Sequence, residues 1–345
     1  MYLHQLVLSQ IFRSSHAPMG ARMLTALSTS SVGTGLNRPE SVLALKDGRV
    51  YASDKAKGVV RVLPEPSRNQ DIESPPPEFV PNGISLLKDG TFLIANVGPG
   101  GGLWQLVAPG ELVPFVKGGH GFPETPLGFV NCDHAGRTWL AFTTTSKPRD
   151  KAFNKNVADG AVGIIEPSGA IRICAEGLSF PNEVRVHPGG KWLYVTETFA
   201  RRMTRFEIGR DAKLSNRETV CTFGTGIWPD GFEFDVQGNA WVTSVVSNRL
   251  VMVRPEGSAE IQFEDCDIGL LAKAEENYQS GCMGWSDIAV GQSAQLGNIA
   301  SIAFGGPGRL QAYIGSMGRD SLTMWAAKVT GVEPVHWNFS HSVID

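Results

Sequence analysis

Four short stretches place an acid or amide directly after a proline: PES at Glu40, PNG at Asn82, PNE at Asn182 and PDG at Asp230. Each of these residues lies eight positions before a glycine, at Gly48, Gly90, Gly190 and Gly238. The same count back from Gly136 and Gly308 lands on Gly128 and Ala300. Carboxylates and carboxamides are hard oxygen donors, a set suited to Ca2+, which takes about six to eight oxygens in flexible geometry. No His or Cys falls at this register, which argues against zinc or copper. Without a cation, Glu40 and Asp230 would be like charges held near one another, at an energetic cost. Taken singly, Pro-Asn and Pro-Asp are ordinary turn dipeptides. The shared register is what makes them a set.

The elements that must position them recur along the chain. A strand, a glycine turn and a second strand with an aromatic or large apolar residue appear in LALKDGRVYAS, SLLKDGTFLIA, VNCDHAGRTWLAF, VRVHPGGKWLYV, EFDVQGNAWVT and IAFGGPGRLQAYIG. The turn glycines are spaced by 42, 46, 54, 48 and 70 residues. A period of this size with several short strands per unit predicts a β-propeller, one four-stranded blade per unit. The fold class is all-β, a six-bladed propeller over 36–345. An α/β alternative lacks helical patterns alternating with the strands. In a propeller the first strand of each blade lines the central channel, so residues at one register converge on its mouth.

The wide last spacing holds DIGLLAKAEENYQSG, where Leu270, Leu271, Ala274 and Tyr278 recur at helical spacing. One short helix is predicted near 267–281, capping the channel or forming a dimer contact. The segment FTTTSKPRDKAFNKNVADG, 142–160, reads as a long basic excursion over one face. It is either a solvated loop or a lid that touches an anionic substrate through Lys147 or Arg149. His187, beside a turn, is expected to be exposed. GPGGG at 98–102 lacks the Lys-Ser/Thr and helix of a phosphate loop and reads as a blade connection. No GxSxG supports a serine hydrolase.

Composition limits the partners. A net charge of -3 gives no broad attraction to nucleic acid or anionic membrane. No window is apolar enough for a membrane helix. The five scattered cysteines, with no CxxC, read as reduced thiols of a cytoplasmic protein. The first 39 residues contain no Asp or Glu. Residues 1–35 therefore read as a tail, disordered or transit-like, with organelle import as the alternative to a cytoplasmic location. A small-molecule substrate and a monomer or homodimer are expected.

RPESVLALKDGRVY, GLSFPNEVRVHPGGKWLYVTET, WPDGFEFDVQGNAWVTS and SIAFGGPGRLQAYIG together resemble the family of gluconolactonase, regucalcin (senescence marker protein) and luciferin-regenerating enzyme. The resemblance runs from about Asn37 to Phe339. It implies one divalent cation at the channel mouth, Ca2+ first with Mg2+ or Mn2+ as alternatives, held by Glu40, Asn182 and Asp230. It also implies hydrolysis of a lactone or related cyclic ester, with Asp230 as catalytic base or nucleophile. The family usually carries an asparagine on blade three, where this chain has Gly128, and an arginine just upstream that is missing here. Gly128 is then expected to leave a gap for water or a bulkier substrate. Asn82, Gly128 and His120 are the candidate substrate-binding residues, with His120 or Glu124 reaching in from the loop before Gly128. The alternatives are a non-catalytic propeller with a structural cation, and metal-dependent hydrolysis of another ester or a phosphotriester.

Overall fold

The computed structural model describes residues 29–63, 70–115, 125–166 and 168–345. Within them six antiparallel sheets succeed one another along the chain, as the repeat requires. Blade one is β2 (Val42–Ala44), β3 (Val50–Asp54) and β4 (Gly58–Leu63), three-stranded among the described residues. Blade two runs from Pro81 to Pro114, blade three from Leu127 to Leu178, blade four from Pro181 to Thr222 and blade five from Trp228 to Phe263. Blade six joins Ile299–Gly305, Gln311–Ser316 and Leu322–Ala326 to β1 (Thr29–Val32), which pairs antiparallel with the last of them. The ring is thus closed by a strand from before residue 36, and the propeller boundary drawn there falls too late. Residues 1–28 lie outside the described residues.

Local chemistry explains the hairpins. The six turn glycines all have positive φ, from 66° to 90°, which L side chains rarely adopt. Just before four of them, an aspartate side chain accepts from turn amides. Asp133 accepts from the amides of Ala135 and Arg137 and from Trp139 Nε1; Asp235 does the same for Gln237, Asn239 and Trp241 Nε1. The aromatic residue of the second strand therefore both fills the space between blades and ties the turn. Trp139 and Trp241 sit in separate buried clusters of this kind.

The predicted helix is present as α1 (Ile268–Ser280), capped by Asp267, whose side chain accepts from Leu270 N, and ended by Gly281 at φ 74°. Its buried stripe is Leu271, Ala274 and Tyr278; Leu270 faces solvent instead, at 41% exposure. A single turn α2 (Trp285–Ile288) follows, between blades five and six. Residues 327–345 cross the opposite end of the channel, where Asp235 bridges Gly331 and Trp337 O accepts from Lys46 N. His187 is half-buried rather than exposed, stacked on Tyr194. Residues 98–102 connect two strands of blade two, and all five cysteines are unpaired. No helix among the described residues is long and apolar enough to cross a membrane.

Candidate functional site

The proline-led residues owe their positions to bulges. In blade four the pairing register slips between Pro181 and Val184, in blade two between Pro81 and Ile84, and in blade five between Pro229 and Phe232. A bulge breaks the ladder and re-aims side chains, which is why strands that alternate elsewhere can turn Asn82, Asn182 and Asp230 together at their entry. Backbone groups freed by the slip are satisfied by hydroxyls on the neighbouring strand. Ser53 Oγ accepts from Glu40 N and Ser41 N; Thr196 Oγ1 accepts from Glu183 N and donates to Asp230 O; Thr243 Oγ1 accepts from Gly231 N. Each hydroxyl lies two residues after an aromatic, Tyr51, Tyr194 or Trp241. That recurrence is visible in the sequence.

Glu40, Asn182 and Asp230, from blades one, four and five, line one pocket. All three are buried, at 5–7% exposure. Asn182 is oriented through Nδ2, which donates to Thr198 Oγ1 at 3.3 Å. Burial first, and then the negative charges of Glu40 and Glu183, push the Asp230 carboxyl well above the usual carboxylate range. Glu40 Oε2 is buried without an aligned hydrogen bond, although the Arg38 guanidinium touches it. These donors fit a hard divalent cation. Their oxygens come from three blades, and the like charges want compensation. Among the described residues no cluster of three or more His, Cys, Asp or Glu forms a metal site, so any cation here relies on the Asn182 amide and on water.

Two arginines complete the pocket: Arg38 lies outside the expected set, whereas Arg149 is one of the two residues expected to contact an anion if the excursion is a lid. Arg38 donates to Pro81 O at 3.1 Å and to Asn82 Oδ1 at 3.3 Å while it touches Glu40. Arg149 comes from the 142–160 excursion, on a short 3-10 turn over Arg149–Ala152. Its guanidinium lies 4.9 Å from the Phe180 ring centre and 5.6 Å from that of Trp285. Phe153, Phe180, Phe199 and Trp285 pack edge and face around it. The excursion is therefore not a solvated loop throughout: Ala152 and Phe153 are buried, while Lys147 is exposed. The basic composition of the segment hid this, because two aromatics on distant elements create the burial.

The other candidates lie elsewhere. Asn82 donates to Gly128 O at 2.8 Å and accepts from Arg38, and neither Asn82 nor Gly128 lines the pocket. Gly128 leaves no gap. A Cβ there would stand 2.7 Å from Thr143 Cγ2, so a threonine methyl fills the space. His120 and Glu124 lie outside the described residues.

The free volume of the pocket is about 40 Å3, room for an ion and a water or two. A larger cavity of about 370 Å3 opens at the other end of the channel, beside His134, His187 and His336. Size favours the second and chemistry the first; the far cavity contains none of the proline-led residues. Between them Arg185 is paired with Glu183 at 3.1 Å and Glu233 at 2.9 Å.

Known proteins carry the same framework. The chain is 25% identical over 191 residues to a 6-deoxy-6-sulfogluconolactonase of Pseudomonas putida, a match covering 52% of this chain and 60% of that relative's length. In fold it is similar to a gluconolactonase of Xanthomonas campestris, with TM-score 0.61 and 16% identity over 90% of this chain and 93% of that one. It is similar also to regucalcin of Agrobacterium tumefaciens, a calcium-binding protein, with TM-score 0.56 and 14% identity over 91% and 93%. Residues 38–265 match the family described as the SMP-30/Gluconolactonase/LRE-like region, and the chain belongs to that family.

Proposed function

We propose that this protein is a divalent-metal-dependent hydrolase of a lactone or related cyclic ester, working at the channel mouth. The observation that carries the reading is the meeting of Glu40, Asn182 and Asp230 in one buried pocket. Family membership and the lactonase names of relatives support the reaction class. The name of the regucalcin relative supports Ca2+ as the first ion to test.

In this reading Glu40, Asn182 and Asp230 hold the cation. When bound, the cation supplies Lewis acidity toward the ester carbonyl. Asp230 takes the proton of the attacking water at its carboxylate. Arg38 keeps Glu40 in place, and Thr198 sets the Asn182 amide so that its oxygen faces the site. Phe153, Phe180 and Phe199 exclude bulk water from the mouth.

The small volume of the pocket favours a second reading, a non-catalytic propeller whose cation is structural. One experiment separates the two. Chelated protein is assayed against a panel of neutral and acidic lactones with and without Ca2+, Mg2+ or Mn2+, beside Asp230→Ala, while thermal midpoints are recorded. Turnover restored by metal and abolished in the variant upholds the hydrolase. A metal-dependent midpoint with no turnover favours the structural cation. A protein indifferent to metal in both respects removes the cation reading altogether.

A further inference from the structure

Arg149 has no part in the reading above, and its surroundings are unusual. Its Nε is buried without a hydrogen-bond partner, and among the described residues no ion pair joins its guanidinium to a carboxylate. Burial pulls the group down to about 10, so it remains a cation at neutral pH. The rings of Phe180 and Trp285 hold it by cation–π contact, with the charges of Glu40 and Asp230 acting from across the pocket, and its buried Nε–H is left unused at the pocket wall. Arginines in this condition match oxyanions that accept two parallel N–H bonds.

Charge balance points the same way. Glu40 and Asp230 supply two negative charges to the pocket, which a divalent cation would cancel. Arg38 already spends donors on Pro81 O and Asn82 Oδ1. Deeper in the channel Arg185 is held between Glu183 and Glu233 and does not contribute to the mouth. Arg149 feels the charges of Glu40 and Asp230 without a hydrogen bond to either, and once a cation takes up those carboxylates it has no counter-charge of its own.

We propose that Arg149 binds an anionic group of the substrate, a carboxylate, sulfonate or phosphate, so that the protein prefers an acidic lactone to a neutral one. The inference rests on the lactonase reading for the word lactone; the anion site itself does not. Because the pocket holds only about 40 Å3 and the Arg149–Ala152 turn is already packed over it, a sugar-sized ligand requires this excursion to move outward before Arg149 meets the anion.

The test uses a matched, non-hydrolysable pair, sorbitol and sorbitol 6-phosphate. Calorimetric titrations are made on the full chain in the Ca2+-loaded and the metal-free state, for wild type, Arg149→Gln and Arg149→Lys. Wild type is expected to bind the phosphate at least roughly tenfold more tightly than sorbitol. Arg149→Gln should lose roughly ten- to hundredfold of that affinity, and Arg149→Lys should keep part of it. Equal binding of the two probes by wild type overturns the proposal. So does an undiminished preference in Arg149→Gln, since the phosphate would then be held by the metal alone. Circular dichroism checks the fold, and Arg149→Lys decides the matter if Arg149→Gln does not fold. In parallel, hydrolysis of glucono-1,5-lactone is compared with its 6-phosphate, 6-sulfonate and 6-carboxylate counterparts, which separates the three sources of the anion. If no lactone turns over, the lactonase reading falls while the calorimetry still decides the anion site.

Discussion

Asp230 on blade five and Glu40 on blade one share a single buried pocket, and the charge of Glu40 adds to burial in raising the Asp230 carboxyl. Arg38 touches Glu40, and Arg149 faces both acids, yet neither brings the Asp230 carboxyl back to its usual range. The juxtaposition costs stability and so belongs to function.

A pH dependence with a definite sign follows. A carboxyl raised in the folded state binds protons that the unfolded chain has released, so stability falls as pH rises from the ordinary aspartate range toward the raised value. In chelated protein, Asp230→Asn should therefore raise the thermal midpoint at neutral pH by a few degrees and leave it unchanged at acid pH. It should also abolish the further stabilisation that Ca2+ gives the wild type. A lower midpoint in the chelated variant at neutral pH would show that Asp230 is held by favourable contacts instead.

Gly128 offers a second test. Its φ is not in the left-handed region, so only the 2.7 Å approach to Thr143 Cγ2 opposes a side chain there. Restoring the asparagine usual on blade three, by Gly128→Asn, should cost about 1–3 kcal/mol through overpacking. Thr143→Ser removes the offending methyl yet keeps the hydroxyl that faces Pro126 O. The double variant should recover most of the loss, measured as urea midpoints for all four forms. Additive losses would mean that the strain lies elsewhere in blade three.

How far the sequence carries can be judged from these same residues. The register that groups Glu40, Asn182 and Asp230 is legible because each precedes its turn glycine by the same count; the bulges that re-aim the side chains in blades four and five are not. The length of α1 is legible from its stripe and from its Asp267 and Gly281 ends. Arg149 is legible only as one of two basic residues on a possible lid, and nothing in the sequence says which of them is buried. The place of Arg149 depends on Phe180 and Trp285, one at a blade entry and one on α2, brought together only by the closed ring. The same holds for β1, whose four residues show no strand pattern of their own and become a strand by completing blade six. Local pattern encodes each blade; contacts between distant loops build the mouth.

The wall of that mouth is held by one buried ion pair, which gives the last prediction. Arg201 lies 4.2 Å from the Trp228 ring centre and 3.8 Å from that of Tyr278, and donates to Glu275 at 2.9 and 2.6 Å. Glu275 also accepts from Gly226 N, and Tyr278 Oη donates to Phe199 O, so α1 is fastened to the loops that carry pocket residues. Glu275→Gln leaves Arg201 buried between two rings with no counter-charge. The expected loss is about 2–4 kcal/mol, a little under that for a fully buried pair because Glu275 is partly open to water. Lys273→Ala, on the exposed side of the same helix, should change stability by less than about 0.5 kcal/mol. Where a lactone is turned over, Glu275→Gln should also raise KM more than it lowers kcat, since it loosens the wall and leaves Asp230 in place. Equal urea midpoints for Glu275→Gln and Lys273→Ala would mean that Leu271, Ala274 and Tyr278 hold the helix by apolar contact alone.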